Sequence, residues 1–194
     1  VRVFDWPAEE GKAAQGMLGI DFLKNEKCRI DFAREEMEIG VAADGEPDKV
    51  LLDKGYSFVE FFVEKSEGYL NVYFDALARE IPVTVGTVSS GCTLDAVTFR
   101  DRIELESAGS RGHSPSGTTP QVYLNKAPVS FRIAGQAFEI PCGEARLYSF
   151  AEYENVSQAE LFPFGILGRD WMKENNAVID YANNFLYFRR SGGK

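Results

Sequence analysis

Residues 165–182 read GILGRDWMKENNAVIDYA, and residues 16–33 read GMLGIDFLKNEKCRIDFA. Laid side by side without a gap, the two stretches are identical at Gly16/Gly165, Leu18/Leu167, Gly19/Gly168, Asp21/Asp170, Lys24/Lys173, Ile30/Ile179, Asp31/Asp180 and Ala33/Ala182. Phe22/Trp171, Leu23/Met172 and Phe32/Tyr181 are conservative pairs between them. Self-similarity of this kind reads as an internal repeat, the feature that organises everything else in the chain. Each copy predicts a buried apolar strand ending at glycine, then a short helical turn opened by an acid, then an extended segment. Asp21 and Asp170 stand where a carboxylate can cap the free N–H groups of the turn. The extended pieces Arg29-Ile-Asp-Phe32 and Val178-Ile-Asp-Tyr181 lead into Met37-Glu-Ile39 and Phe185-Leu-Tyr-Phe188. These are the second arms of two hairpins, the later one turned by Asn183-Asn184.

Working outward, Val1–Trp6 matches Ala145–Phe150 in alternation and size. A long run of strands precedes the later unit, whereas the earlier unit has no counterpart to that run, so its N-terminal half is expected to be missing from this sequence. Between the units, Tyr56–Val63, Tyr69–Phe74 and Ile81–Val85 predict a three-strand meander with turns at Lys65–Gly68 and Asp75–Glu80. Val122–Leu124, Val129–Ile133 and Ala137–Ile140 add strands, with a turn at Ala134-Gly135-Gln136. Residues 40–49 read as a linker, and 107–120, SAGSRGHSPSGTTP, as a mobile low-complexity loop.

Composition bounds the rest. The 194 residues carry 21 basic and 30 acidic side chains for a net charge of -9, scattered along the chain. Nucleic-acid phosphates are repelled by such a surface, whereas a basic partner is tolerated. No apolar run approaches the roughly 18 residues of a membrane span, and no membrane partner is expected. Cys28, Cys92 and Cys142 lie far apart with no C-x-x-C spacing, which leaves one disulfide or three buried free thiols equally open. The strand-like opening Val1-Arg-Val-Phe4, without an initiator Met, reads as a fragment, a processed product or a trimmed chain, and gives no compartment. His113 is the sole histidine and sits in the Gly/Ser loop, where nothing holds a general base rigidly and too few ligands surround it for a metal. Gly86–Gly91 lacks the Lys and following helix of a phosphate loop. No cofactor or metal is expected.

Taken together, a hairpin, a strand ending in a small-residue loop, a flap, and Ile166-Leu-Gly-Arg-Asp170 closing into Val178-Ile-Asp-Tyr181 resemble the retropepsin-like (clan AA) aspartic proteases. The resemblance implies an all-β acid-protease barrel: residues 50–190 as one near-complete lobe and 1–40 as the C-terminal part of a preceding lobe. It also implies an association with a second lobe, from the same chain or another. Two lobes of that family each contribute one aspartate to a dyad. Two close carboxylates cannot both ionise, so they share a proton and serve as base to a water and acid to the leaving amide.

By register, the motif position is Gly86-Thr87-Val88, where glycine replaces the aspartate and valine the glycine. The fallback acids are Asp53, in Leu51-Leu-Asp-Lys-Gly55, and Asp95, in Thr93-Leu-Asp-Ala-Val97. Gly109, Gly112 and Gly117 fall where the family places its flap. Asp21 and Asp170 are read as turn caps, and Arg169 as a structural arginine paired with Asp95 or Asp101. Asp31 and Asp180 are expected to face solvent or anchor hairpins. The aromatic strand Phe58–Val63 is read as core or lobe interface. The sequence thus points first to a pseudo-protease that binds an extended peptide or partner protein by strand addition. The alternative is an active aspartic endopeptidase whose aspartate comes from a missing segment, another chain or Asp53.

Overall fold

The computed structural model describes residues 18–64, 67–87, 89–110, 120–154 and 163–189. In chain order the elements are α1 (Ile20–Asn25), β1 (Arg29–Asp31), β2 (Glu36–Glu38), α2 (Lys49–Asp53), β3 (Ser57–Glu60), β4 (Phe62–Glu64), β5 (Glu67–Phe74) and β6 (Arg79–Val85). There follow β7 (Thr93–Asp95), α3 (Ala96–Phe99), β8 (Leu105–Ser110), β9 (Gln121–Asn125), β10 (Val129–Ile133), β11 (Gln136–Ile140) and β12 (Arg146–Tyr148). The chain closes with α4 (Phe150–Glu154), β13 (Gly165–Leu167), α5 (Arg169–Glu174), β14 (Val178–Asp180) and β15 (Phe185–Phe188).

The architecture is mainly β, as expected. A ten-stranded sheet in the order β11-β10-β5-β6-β13-β7-β12-β9-β8, with β4 on β5, curls into a half-barrel. A five-stranded sheet, β2-β1-β14-β15-β3, stands beside it. Alternation explains the inner face: Ile81, Val83 and Val85 of β6 are buried while their neighbours are not. Aromatic rings fill the space behind it. Trp171 of α5 meets Phe138 at 5.3 Å, Phe131 at 6.3 Å and Phe188 at 6.1 Å between centroids, and Phe74 meets Phe99 edge-on at 5.1 Å.

In the five-stranded sheet the two repeated units meet. Strand β1 pairs antiparallel with β14, with Ile30 opposite Ile179, Arg29 opposite Asp180 and Asp31 opposite Val178. The backbone bonds across the pair are reciprocal: Phe32 N–H donates to Ala177 O, and Tyr181 N–H donates to Cys28 O, both at 3.0 Å. Within each unit the same ladder recurs. Leu23 N–H reaches Gly19 O and Met172 N–H reaches Gly168 O at 3.2 Å, while Cys28 N–H to Leu23 O and Ala177 N–H to Met172 O are both 2.7 Å. Even the strained backbone recurs: Lys27 and Asn176 have φ of 52° and 47°, and Glu35 and Asn184 have φ of 56° and 60°. The Asp31 and Asp180 carboxylates each accept two turn N–H groups, from Ala33 and Arg34 and from Ala182 and Asn183, at 3.0–3.1 Å. Both acids therefore anchor hairpins; Asp180 is fully buried and also receives Arg29 at 2.8 Å.

Three local expectations change. The run Tyr56–Val63 is not one strand. It switches sheets at Phe61, β3 pairing with β15 and β4 with β5, while Phe61 itself donates to Asn184 O and packs against Tyr181. The 40–49 segment is no free linker: Val41 is buried, Asn183 Nδ2 donates to Ala42 O, Asp48 N–H donates to the Tyr187 hydroxyl, and the Asp48 carboxylate pairs with Arg29 at 2.8 Å. All three cysteines are free thiols, with Cys28 and Cys92 buried and Cys142 exposed.

Candidate functional site

The motif loop leaves β6 at Val85 and enters β7 at Thr93, and it is seated on the turn between β13 and α5. Gly86 N–H donates to Leu167 O at 2.9 Å. The first two N–H groups of α5, on Arg169 and Asp170, donate to the carbonyls of Ser89 at 2.7 Å and Ser90 at 2.8 Å. Loop carbonyls thus take donors that a helix end leaves free. A Cβ on Gly168 would lie 2.2 Å from Gly91 O, so only glycine admits the loop at this distance. Arg146 N–H donates to Cys92 O at 3.1 Å and holds the far end of the loop.

This seating corrects two readings. The N-cap positions are Gly19 and Gly168, without any side-chain cap; Asp21 and Asp170 stand one residue inside the first turn, where only their charge favours the helix end. Arg169 is exposed, and no ion pair among the described residues joins it to Asp95 or Asp101. Its link to the loop is made by its backbone N–H.

Position 86 is closed to a carboxylate as the chain stands. A Cβ built on Gly86 would lie 2.4 Å from Ile166 Cγ2, well inside any real contact. Thr87 beside it is half-buried, and Val88 lies outside the described residues. Asp53 is not in a strand-ending loop. It is the last residue of α2 and exposed, because Asp48 caps that helix through Val50 and Leu51 N–H and winds the segment into a turn. Asp95 is fully buried, yet its carboxylate caps α3: Oδ2 accepts Thr98 N–H at 2.9 Å and Thr98 Oγ1 at 2.6 Å, and Oδ1 accepts Phe150 N–H at 3.1 Å. Gly86, Asp53 and Asp95 thus belong to three different places in the fold, the end of β6, the end of α2 and the cap of α3.

Strands β8 and β9 form the hairpin at the expected flap, with a bulge between Ser107 and Gly109 and Gly109 at φ 80°. Gly112, Gly117 and His113 lie outside the described residues. Next to the loop lies a cleft of ≈ 290 Å³ walled by Ser90, Cys92, Arg146, Asp170, Trp171 and Glu174. Burial, reinforced by Glu174, Asp170 and Glu144, pushes the Cys92 thiol up to about 11 despite a backbone hydrogen bond at Gly168. It is an inert, protonated group at neutral pH. Across the two units, burial works against the Arg29 charge, but Asp180 and Asp48 outweigh it and hold the guanidinium above its ordinary value. Sequence reasoning did not foresee this Arg29–Asp48–Asp180 cluster, because its members are distant in the chain. No metal-binding cluster of His, Cys, Asp or Glu occurs among the described residues, and no described helix is long and apolar enough to cross a membrane.

No protein-family model and no curated protein matches the sequence. Among solved structures, the chain is similar to a retropepsin-like aspartic protease from Rickettsia conorii at 12% identity and TM-score 0.45, over 70% of this chain and 92% of that one. It is also similar to EIAV protease complexed with the inhibitor HBY-793, at 13% identity and TM-score 0.37, over 58% of this chain and 90% of that one. Basic 7S globulin from soybean is similar at 11% identity and TM-score 0.42, over 84% of this chain and 50% of that one.

Proposed function

We propose that this chain is an aspartic-protease-like domain of the retropepsin type that does not itself cleave peptides and instead serves as a binding lobe. Residues 50–190 are one near-complete lobe, and residues 1–40 are the closing part of another. The two Leu-Gly-x-Asp units are equivalent pieces of one ancestral repeat, a reading supported by their matching hydrogen-bond ladders and paired positive-φ residues.

The observation that carries the loss of catalysis is position 86. A dyad needs a carboxylate at the loop, and here the loop has glycine with Ile166 Cγ2 occupying the space a side chain would enter. The fallback acids have other occupations, Asp95 as a buried cap with three donors and Asp53 as an exposed helix end. A protease-like lobe retained without its acid still offers a flap hairpin and sheet edges that are unpaired among the described residues, which suit an extended peptide or partner strand.

The test is digestion of a fluorogenic peptide library and of casein by the full chain across about pH 3–7, the range in which shared carboxylate dyads work. No cleavage above buffer is expected. Cleavage that pepstatin blocks, and that Asp53→Asn or Asp95→Asn removes while circular dichroism stays unchanged, overturns the proposal in favour of an active endopeptidase.

A further inference from the structure

A second cleft, of ≈ 430 Å³, opens between α2 and the face of the five-stranded sheet that is turned away from the main core. Alternation sends Ile30, Ile179 and Leu186 to the core and Arg29, Asp31, Val178 and Asp180 to this face. The charged groups of the lining come in equal numbers. Asp31, Glu36, Glu38 and Asp48 supply four negative charges, and Arg29, Arg34, Lys54 and Arg189 four positive ones. Within a chain of net charge -9 the cleft is close to neutral, with Asp180 beneath it adding one further acid.

Most of these charges are matched within the chain. Arg29 lies between Asp48 and Asp180, at 2.8 Å from each, Arg34 pairs with Glu36 at 3.5 Å, and the Asp31 carboxylate is spent on its turn. What remains is sorted by sign along the strands. Glu38 stands opposite Arg29 at one end, and no cation among the described residues pairs with it. At the other end Arg189 and Lys54 pair with no described carboxylate. The Arg189 guanidinium is nevertheless fixed, stacked 5.0 Å over the Tyr56 ring and donating to Lys54 O at 2.9 Å. Between the ends the wall is apolar: Leu51 packs on Val178, and Val50 lines the same cleft while 60% exposed. The register puts Arg189 four residues along the strands from the Glu38 position, about 13 Å at roughly 3.3 Å per residue.

We propose that this cleft binds a small zwitterion whose two charges are held apart by an alkyl chain, an ω-amino carboxylate. Its ammonium meets Glu38, its methylenes cover Val178 and Val50, and its carboxylate meets Lys54 and Arg189. Two charge-assisted contacts of about 2.8 Å each leave about 7 Å between the ligand's charges, which a short methylene chain spans. An α-amino acid, with its charges one carbon apart, is too short to reach both ends. A simple anion leaves Glu38 unmatched, and a simple cation leaves Lys54 and Arg189 unmatched. Because Tyr56 and the Lys54 carbonyl already hold the guanidinium, little ordering remains to oppose binding at that end. None of these residues belongs to the 86–92 loop, so the site stands whether or not the chain cleaves peptides.

The test is NMR titration of the full chain at pH 7 with 6-aminohexanoate, hexanoate, hexylamine, glycine and Nα-acetyl-lysine. The first is expected to shift the amides of Glu38, Lys54 and Tyr56 and to bind at least about tenfold more tightly than any of the others. Glu38→Gln should erase its advantage over hexanoate, and Lys54→Gln its advantage over hexylamine. Both side chains are exposed, so urea midpoints should stay unchanged. Hexanoate or hexylamine binding as tightly as 6-aminohexanoate overturns the proposal, as do shifts confined to the cleft beside Trp171 and the absence of saturable binding at millimolar probe. Tighter binding of Nα-acetyl-lysine would assign the site to a chain terminus and overturn it too.

Discussion

The α1–β1–β2 unit and the α5–β14–β15 unit have the same local grammar and opposite fates. Both form a six-residue helix behind a glycine N-cap, turn through a left-handed residue and enter a hairpin whose aspartate holds the turn. Yet Trp171, Leu186 and Phe188 are buried in the aromatic core, while Phe22, Met37 and Ile39 remain in solvent. Local backbone structure is therefore set by the residues themselves, and burial by whether a curled sheet lies alongside. If the comparison is right, equivalent substitutions in the two units must have unequal costs.

The largest difference is expected at the aromatic pair. Trp171→Ala should cost about 3–5 kcal/mol in urea unfolding and Phe22→Ala less than about 1, since only the first leaves a cavity. Equal costs would break the comparison. Next come the glycines. Gly168→Ala drives a methyl into the Gly91 carbonyl and should cost about 3 kcal/mol, whereas Gly19→Ala, with an open Cβ position, should cost about 1 or less. A large loss at Gly19 in the 194-residue chain would mean that something already covers it.

The hairpin anchors give a smaller contrast. Asp180→Ala leaves Arg29 with Asp48 alone, strands two turn N–H groups at a buried site and should cost about 2–3 kcal/mol, against about 1 for Asp31→Ala at a more open turn.

The smallest effect is alkaline. Folding raises the Cys92 thiol from 9.0 to about 11 and the Tyr181 phenol from 10.0 to about 12, each mainly through burial. Below pH 9 both groups are protonated in folded and unfolded chains alike, so the stability is fully present there. It should fall as pH rises from 9 toward 11 for the thiol, by on the order of 2 kcal/mol, and on toward 12 for the phenol. Urea midpoints at pH 8 and 10.5 measure this, and Cys92→Ala should flatten the dependence. A midpoint that does not move would place Cys92 in solvent and unseat the loop.

Much of the fold was legible where signals are local. The two Leu-Gly-x-Asp turns, the Asn183-Asn184 hairpin and the strand Val129–Ile133 were each readable from a few consecutive residues. The sheet switch at Phe61 was not, because both halves of Tyr56–Val63 have the same strand-forming chemistry and only their partners differ. Asp95 looked like a fallback acid although its cap partner Thr98 lies only three residues on, and its further donor, Phe150, is remote in sequence. Arg169 looked like an ion-pair partner because side-chain reach cannot be read from a motif, and its backbone carries the contact instead. At the loop, glycine at position 86 was visible in the letters. That Ile166 crowds the space a side chain there would enter was not.

By itself, then, the order of residues determined the two units, their turns, the absence of an acid at position 86 and the acidic character of the surface. These depend on backbone preference, side-chain period and charge, all properties of neighbours along the chain. Tertiary structure alone decided which unit is buried, why Gly168 admits nothing but glycine, where Arg29 finds Asp180, and which apolar face is left uncovered. Those depend on atoms brought together from distant parts of the chain, and close packing fixes them only when the sheet has closed.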